Sequence, residues 1–329
     1  MEGQGIVLVR LGSLEEKVLM KLQYEFPLTP TPYSDVASEI GIGVDELLSM
    51  LRRLHAEGVV KRIGFYYNPR SRGVNAVLVA MSTPRPVEAS GRLDELLEVT
   101  HSYLRDHPVY NLWVVVRYRE WERLVEAVMD ACRVSGCTDY VILPATRLHR
   151  LSVKYDLAMG ISRAGPYSRV RLDPPSPEEL GVPGELPRLV RRLPLRPHPY
   201  REAAQRLGMG EEEVVDYIVK LLREGVLGDP GATLNGQRIG FTVNAMYVAE
   251  PYPGVDACAW VSDHVPYATH IVTRRIVPED SPWRYTCFFM VHAAARDRLR
   301  VVDELLAAAP VTRWDRLVSL TDLKPGAQR

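Results

Sequence analysis

Two segments of the 329-residue chain set ionisable and aromatic side chains where they can act together. The first, Thr100 to Val116, reads THSYLRDHPVYNLWVVV; the second, Thr269 to Ala293, reads THIVTRRIVPEDSPWRYTCFFMVHA. On a strand, residues two and four apart share a face. His101, Tyr103 and Arg105 therefore project together, as do His270 and Arg274 with the smaller Val272 between them. An imidazole titrating near about 6.5 can deliver a proton or ligate a metal, and a guanidinium can grip carboxylates through paired hydrogen bonds. A single such histidine would read as a satisfied residue of an edge strand. Here the His-x-x-x-Arg pattern occurs twice, and each copy is followed by a tyrosine (Tyr110, Tyr285) on the next strand.

That recurrence is part of a larger one. FPLTPTPYSDVASEIGIGVDELLSMLRRLHAEGVV, from Phe26, matches LPLRPHPYREAAQRLGMGEEEVVDYIVKLLREGVL, from Leu193, at a constant offset of 167. The offset steps to 169 where VNAVLVA (Val74 to Ala80) meets VNAMYVA (Val243 to Ala249). Thr100, His101 and Arg105 map onto Thr269, His270 and Arg274 at that same offset, and a six-residue insertion then moves Tyr110 onto Tyr285 at an offset of 175. Such self-similarity marks an internal duplication.

Within each copy the periodicity changes once. Leu14–Gln23, Tyr33–Ile40 and Asp45–His55 are predicted helices, with Gly41 and Gly43 at the turn of a helix-turn-helix and Leu47, Leu48, Leu51 and Leu54 as the apolar stripe of the third. Gly58-Val59-Val60 is expected to open a hairpin wing that ends near Gly73. Strands at Ala76–Ser82, His101–Asp106, Asn111–Arg117 and Tyr140–Ala145, with helices at Arg92–Thr100 and Glu120–Val134, give the order βαββαβ, which is ferredoxin-like. The fold class is thus α+β: a tandem duplication of a winged helix-turn-helix followed by a ferredoxin-like module. The expected boundaries are 1–73, 74–162, a Pro- and Gly-rich linker at 163–185, then 186–240 and 241–329. The two units are expected to pack as an intramolecular pseudo-dimer.

Composition narrows the function. A chain 46% apolar and 25% charged with zero formal net charge has no global pull toward nucleic acid or membrane. No apolar run approaches the ~18 residues that cross a bilayer, and the N-terminus lacks a signal-peptide layout, so a cytoplasmic protein is expected. The third helix of unit two begins Glu211-Glu212-Glu213 and that of unit one Asp45-Glu46. Acids at a helix N-terminus suit its dipole and repel phosphates, so no specific DNA binding is expected of the second winged helix, and at most weak contact of the first. Cys132, Cys137, Cys258 and Cys287 form no CxxC pair and read as buried free thiols rather than a metal site.

A winged helix followed by βαββαβ resembles the Lrp/AsnC-type regulators. The finer motifs, LPATRLHRLSVKYDL, GVVKRIGFYYNPR, LVSLTDLKPG and above all H-x-Y-L-R-x-H…Y-N-L-W, look like those of siroheme decarboxylase of the alternative haem pathway, with unit one similar to one subunit and unit two to the other. Unit two departs from the pattern at Ile271-Val272 and Thr286. The resemblance implies removal of CO2 from the C12 and C18 acetates of siroheme, giving 12,18-didecarboxysiroheme, with no added cofactor; the iron enters with the substrate. It implies proton donation by His101 and His270, although either could ligate the iron. Arg105, Arg274 and Arg275 would hold carboxylates, Trp113, Trp283 and Tyr285 would flank the ring, and Tyr103, Tyr110, Asn111 and His292 would complete the pocket. His107 is expected to face solvent, and Trp113 suits a core strand as well as a pocket. A regulator sensing haem or siroheme with the same residues is the second reading.

Overall fold

The computed structural model describes residues 8–324. Unit one opens with three helices, α1 (Ser13–Tyr24), α2 (Pro32–Ile40) and α3 (Val44–Ala56), then strand β1 (Val60–Tyr67). Its second half runs β2 (Asn75–Ser82), α4 (Pro86–Leu96), β3 (Glu98–Arg105), β4 (Leu112–Tyr118), α5 (Trp121–Ser135) and β5 (Asp139–Leu151). Short strands β6 (Lys154–Asp156) and β7 (Ile161–Arg163) lead out of it. Unit two repeats the plan: α6 (Leu186–Leu189), α7 (Arg201–Leu207), α8 (Glu211–Arg223), β8 (Leu227–Leu234), β9 (Val243–Pro251), α9 (Ala257–His264), β10 (His270–Arg274), β11 (Cys287–Ala293), α10 (Arg300–Leu306) and β12 (Val311–Asp322). Among the described residues no helix is long and apolar enough to cross a membrane.

The helices follow their signals. Pro32 and Pro86 sit in first turns, and Gly41, Gly136 and Gly208 end their helices in the left-handed conformation. Helix α4 starts six residues earlier than the sequence reading placed it and stops at Leu96. Leu97 is extended, and the β-branched Val99 and Thr100 belong to β3 instead.

Among the described residues no wing hairpin forms within a unit. Strand β1 pairs antiparallel with β8 of the other unit, so the two winged modules share one two-stranded sheet and one core that includes Leu22, Leu51, Phe65, Ile218 and Leu221. Gly64 and Gly231 face each other in that pairing. Their φ values are 151° and 101°, and an added Cβ would meet the Arg191 carbonyl oxygen at 2.4 Å and the Leu22 carbonyl oxygen at 2.0 Å. Only glycine fits at both places.

The ferredoxin-like halves each form a four-stranded antiparallel sheet, ordered β5-β2-β4-β3 and β12-β9-β11-β10. The sheets join edge to edge twice, β3 with β12 and β5 with β10, and so close an eight-stranded barrel. Exchanging the units maps one junction onto the other, so the pseudo-twofold axis runs along the barrel. Closure explains why β5 continues to Leu151, beyond the expected end near Ala145: residues 145–151 pair with β10. It also removes the sheet edges that each half would expose alone.

Alternation along the strands divides the apolar residues. Val77, Val79, Val114 and Val116 meet α4 and α5 outside the barrel, as Ala245, Tyr247 and Phe289 meet α9 and α10. Leu78, Ala80, Trp113, Leu143, Met246, Val248, Phe288 and Leu317 fill the inside. The VNAVLVA/VNAMYVA match is therefore one residue out of register in space: Val77 faces outward and its aligned Met246 inward, since a single-residue slip reverses every face.

The cysteines are paired rather than free. Cys132, in the last turn of α5, is bonded to Cys137 just past Gly136, with Cα atoms 4.5 Å apart. Cys258 of α9 is bonded to Cys287 at the start of β11, with Cα atoms 5.4 Å apart. The spacing of five hid the first pair because the left-handed turn at Gly136 folds the chain back. The second spans an α/β contact with no sequence signature.

Candidate functional site

His101, Tyr103 and Arg105 project into the barrel from β3, because their register partners are Val115, Trp113 and, on β12, Ser319. His270, Val272 and Arg274 do the same from β10, as does His292 from β11, where it lies opposite Asn244. The two patterns thus converge on one interior rather than on separate pockets. His107 and the loop residues around it sit at one end of that interior, and the winged modules cover the other.

The arginines are held alike. Arg105 Nη1 donates to the Leu317 carbonyl at 2.9 Å, and Arg274 Nη1 donates to the Leu143 carbonyl at 2.8 Å. Each thus spans the junction to the neighbouring unit's strand. Arg105 Nη2 also reaches Asn244 Oδ1 at 3.3 Å, and its guanidinium lies 5.1 Å from the Tyr103 ring centroid. Arg274 lies 5.6 Å from the ring of Phe288 instead. In both arginines the Nε–H is buried and finds no acceptor among the described residues. A buried donor without a partner costs about 1–3 kcal/mol, and two at matching places define a site awaiting acceptors. Burial lowers both guanidinium pKa values to about 10, which leaves them charged at neutral pH.

The histidines are also held alike. The Thr100 hydroxyl donates to the Val115 carbonyl at 3.3 Å and lies 3.0 Å from His101 Nδ1. The Thr269 hydroxyl donates to the Met290 carbonyl at 3.1 Å and lies 3.4 Å from His270 Nδ1. Each hydroxyl thus engages the Nδ1 side of its ring and leaves Nε2 on the far side. Burial, then repulsion from His270, Arg117, Lys61 and Arg105, lowers the His101 pKa to about 4. Burial lowers His270 to about 4 as well, opposed by Asp229 and aided by Arg274. His292 is lowered to about 3 by burial and then by His270, Arg105, His101 and Lys61. Without a ligand this interior is cationic by constitution and holds its imidazoles neutral.

One end is closed by an aromatic floor. Trp113 and Trp283 lie with ring centroids 5.3 Å apart, joined by Tyr110, Tyr285, Phe288 and His107. The indole N–H groups are satisfied at the carbonyls of Tyr110 and Tyr285, at 2.8 and 2.9 Å. The Tyr110 hydroxyl donates to Asp139 at 2.7 Å, and its pKa is raised to about 12 by burial and by that carboxylate. His107 does not simply face solvent: its Nδ1 accepts from the backbone of Val109 and Tyr110, and its ring stacks on Tyr110.

Two expected ligand contacts are elsewhere. Asn111 exchanges both its amide groups with the backbone of Thr83, at 3.0 and 2.8 Å, and so ties two loops together. Arg275 is exposed on the outer face, its guanidinium 5.1 Å from the Trp121 ring, because the residue after an inward Arg274 must point outward. The sequence reading missed Thr100 and Thr269 as orienting groups, although both recur beside their histidines. It also missed Asn244, Lys61, and Arg117, which occupies in β4 the place that His292 holds in β11.

Comparison with known proteins agrees with this construction. Residues 15–60 and 186–227 match the siroheme decarboxylase NirDL-like HTH domain. Residues 71–150 and 238–324, together just over half of the chain, match the AsnC-like ligand binding domain. A siroheme decarboxylase of Hydrogenobacter thermophilus is 28% identical over 308 residues, covering 90% of this chain and 88% of that one. The siroheme decarboxylase NirD subunit of Stutzerimonas stutzeri is 34% identical over 156 residues, which is 46% of this chain but 98% of the relative. The crystal structure of the siroheme decarboxylase NirDL in co-complex with an iron-uroporphyrin III analogue has a TM-score of 0.59 at 23% identity, covering 95% of this chain and 92% of that one. At that identity the likeness is one of fold. The chain belongs to the AsnC-like family, in a form that carries the winged-helix and ligand-binding pair twice in one polypeptide.

Proposed function

We infer that this protein is a siroheme decarboxylase, a carboxy-lyase of haem biosynthesis that removes CO2 from two acetate side chains of siroheme. The observation that carries the reading is the pair of buried, unpartnered Nε–H groups of Arg105 and Arg274, each beside an inward histidine in one closed barrel. Siroheme is a polyanionic macrocycle, and charge-assisted bonds from these arginines to its carboxylates satisfy both sides. The siroheme decarboxylase relatives and the NirDL-like winged helices favour this substrate over other anionic ligands.

The chemistry needs no resident cofactor on this reading. Loss of CO2 leaves an electron pair on the acetate methylene carbon, and only acetates on the two unsaturated rings, at C12 and C18, have a π-system beside that carbon. The macrocycle itself stabilises the developing charge. The protein holds the remaining carboxylates, excludes water with the Trp113–Trp283 floor, and supplies a proton to each new methyl group. His101 and His270 are the donors through Nε2. A bound polyanion sets negative charge beside both imidazoles and favours their charged form against the burial that holds them neutral, so both take up protons as substrate arrives.

The regulator reading has less support. Arg52 of α3 donates to the Leu195 carbonyl of the other unit at 2.8 Å, and Arg53 is paired with Glu15 and Glu57. Glu211, at the head of α8, is engaged by His198 and Arg201. Neither third helix keeps a set of uncommitted cations for phosphates. The protein should release CO2 from siroheme, while duplex DNA binding stays weak and falls steeply with salt. A footprint on a defined sequence at physiological salt, with siroheme bound and unconsumed, would reverse the assignment.

A further inference from the structure

The pseudo-twofold relation between the units holds down to single hydrogen bonds. Arg105 is the register partner of Ser319, and Arg274 is that of Ala145. Each guanidinium donates to the carbonyl two residues before its partner, Leu317 at 2.9 Å and Leu143 at 2.8 Å. Each also keeps a buried Nε–H without an acceptor among the described residues. His101 and His270 stand four residues before these arginines, each with a threonine hydroxyl beside its Nδ1. Both sets face one interior, and an eight-stranded barrel has room for one ligand rather than two. Two equivalent pairs of acid and anchor therefore meet a single macrocycle.

Siroheme carries a matching symmetry on the half that reacts. Around its C15 bridge the side chains run acetate (C12), propionate (C13), propionate (C17) and acetate (C18). A half-turn about the in-plane line through C15 and the iron exchanges the two acetates, and likewise the two propionates. The reduced half of the ring breaks this symmetry, since the propionate at C3 exchanges with the acetate and methyl at C7. The protein breaks its own in the same interior. Tyr103 has Val272 at its matching place, and Arg117 has His292.

Resting on the decarboxylase reading, we propose that siroheme binds with its half-turn axis on the pseudo-twofold axis of the barrel, so that one pose presents one acetate to His101 and the other to His270. The ring then loses both CO2 without leaving the barrel or turning round. In each step the bond between methylene and carboxylate breaks, CO2 departs and the electron pair stays on the methylene carbon. The proton of the facing imidazolium forms the new C–H bond there, and the neutral imidazole takes its next proton from solvent. The two propionates beside C15 fall to Arg105 and Arg274, which match each other as the propionates do. The unequal pairs, Tyr103 with Val272 and Arg117 with His292, meet the unequal half of the ring and fix which acetate lies with which histidine.

Regiochemistry tests it. His270→Ala should leave a singly decarboxylated ring, and the single product that His101→Ala forms, at its lower rate, should be the opposite regioisomer. NMR of the extracted, iron-free pigment tells the C12 from the C18 methyl group, and each isomer should be in about tenfold or greater excess. Two measurements on the wild type need no variant. Titration with an iron-uroporphyrin analogue should saturate at one equivalent per chain. Protein loaded with siroheme and chased after the first CO2 with excess isotopically labelled siroheme should carry its unlabelled intermediate through to the doubly decarboxylated product. The same regioisomer from both histidine variants would overturn the proposal, because one histidine would then serve both acetates in turn. Two equivalents bound, or an intermediate that the chase displaces, would overturn it as well. A wild type that releases no CO2 in the same assay would instead bring down the decarboxylase reading.

Discussion

Replacing His101 with alanine should slow CO2 release by ~10²–10⁴-fold while leaving siroheme affinity near that of the wild type, the signature of a lost general acid. The effect should be that large because the imidazoles that face His101, His270 and His292, both come from strands of the other unit. Thr100 lies 3.0 Å from its Nδ1, Tyr103 flanks it with ring centroids 6.3 Å apart, and the neighbouring guanidinium groups of Arg117 and Arg105 stay charged rather than trade protons. His270→Ala should be milder in outcome and yield a mono-decarboxylated product. Val272 stands there in place of Tyr103, and the hydroxyl contact to Nδ1 is longer, so the second site is the less constrained. If His101 instead ligates the iron, its loss will alter the optical spectrum of bound siroheme and weaken binding first. Full conversion to the doubly decarboxylated product at an unchanged rate would end the acid role.

Arg105→Ala and Arg274→Ala should each weaken siroheme binding by about one to two decades, since a charge-assisted hydrogen bond contributes roughly 1.5–3 kcal/mol. The two should not be equal in their cost to the fold. Arg105 also donates to Asn244 and packs on Tyr103, whereas Arg274 donates to one backbone carbonyl across the junction and covers Phe288. Arg105→Ala should therefore lower thermal stability further than Arg274→Ala does. A direct titration with siroheme or with an iron-uroporphyrin analogue reads the affinity, and a thermal melt of ligand-free protein reads the rest. Unchanged affinity in both variants would move the carboxylate grip elsewhere.

The duplication, the helix-turn-helix order and the inward face shared by His101, Tyr103 and Arg105 were all legible in the sequence, because each rests on local periodicity or on a repeat. What the sequence did not carry was pairing between units. Strands β1 and β8 look like halves of two wings until each is seen to take the other as its partner, and the hairpin expected within a unit is replaced by a pairing across 167 residues. The same holds for β3 with β12 and for β5 with β10, where register is set by barrel closure and not by any turn. Closure is also what merges two expected pockets into one. Asn111 and Arg275 fell outside the site for a simpler reason. Both lie next to residues that do face inward, and strand alternation or a loop clamp turns them away. The Cys258–Cys287 pair depended on how α9 packs on β11, which no spacing encodes.

One barrel, built from both units, should take siroheme and remove two CO2 with no reagent beyond water. Purified protein incubated anaerobically with siroheme alone, and sampled by mass spectrometry over time, tests it most directly. The mass should fall stepwise by one CO2 and then by a second, ending at 12,18-didecarboxysiroheme, with the singly decarboxylated species rising and falling between them. Siroheme that binds, shifts its spectrum and is recovered with its mass unchanged would contradict it.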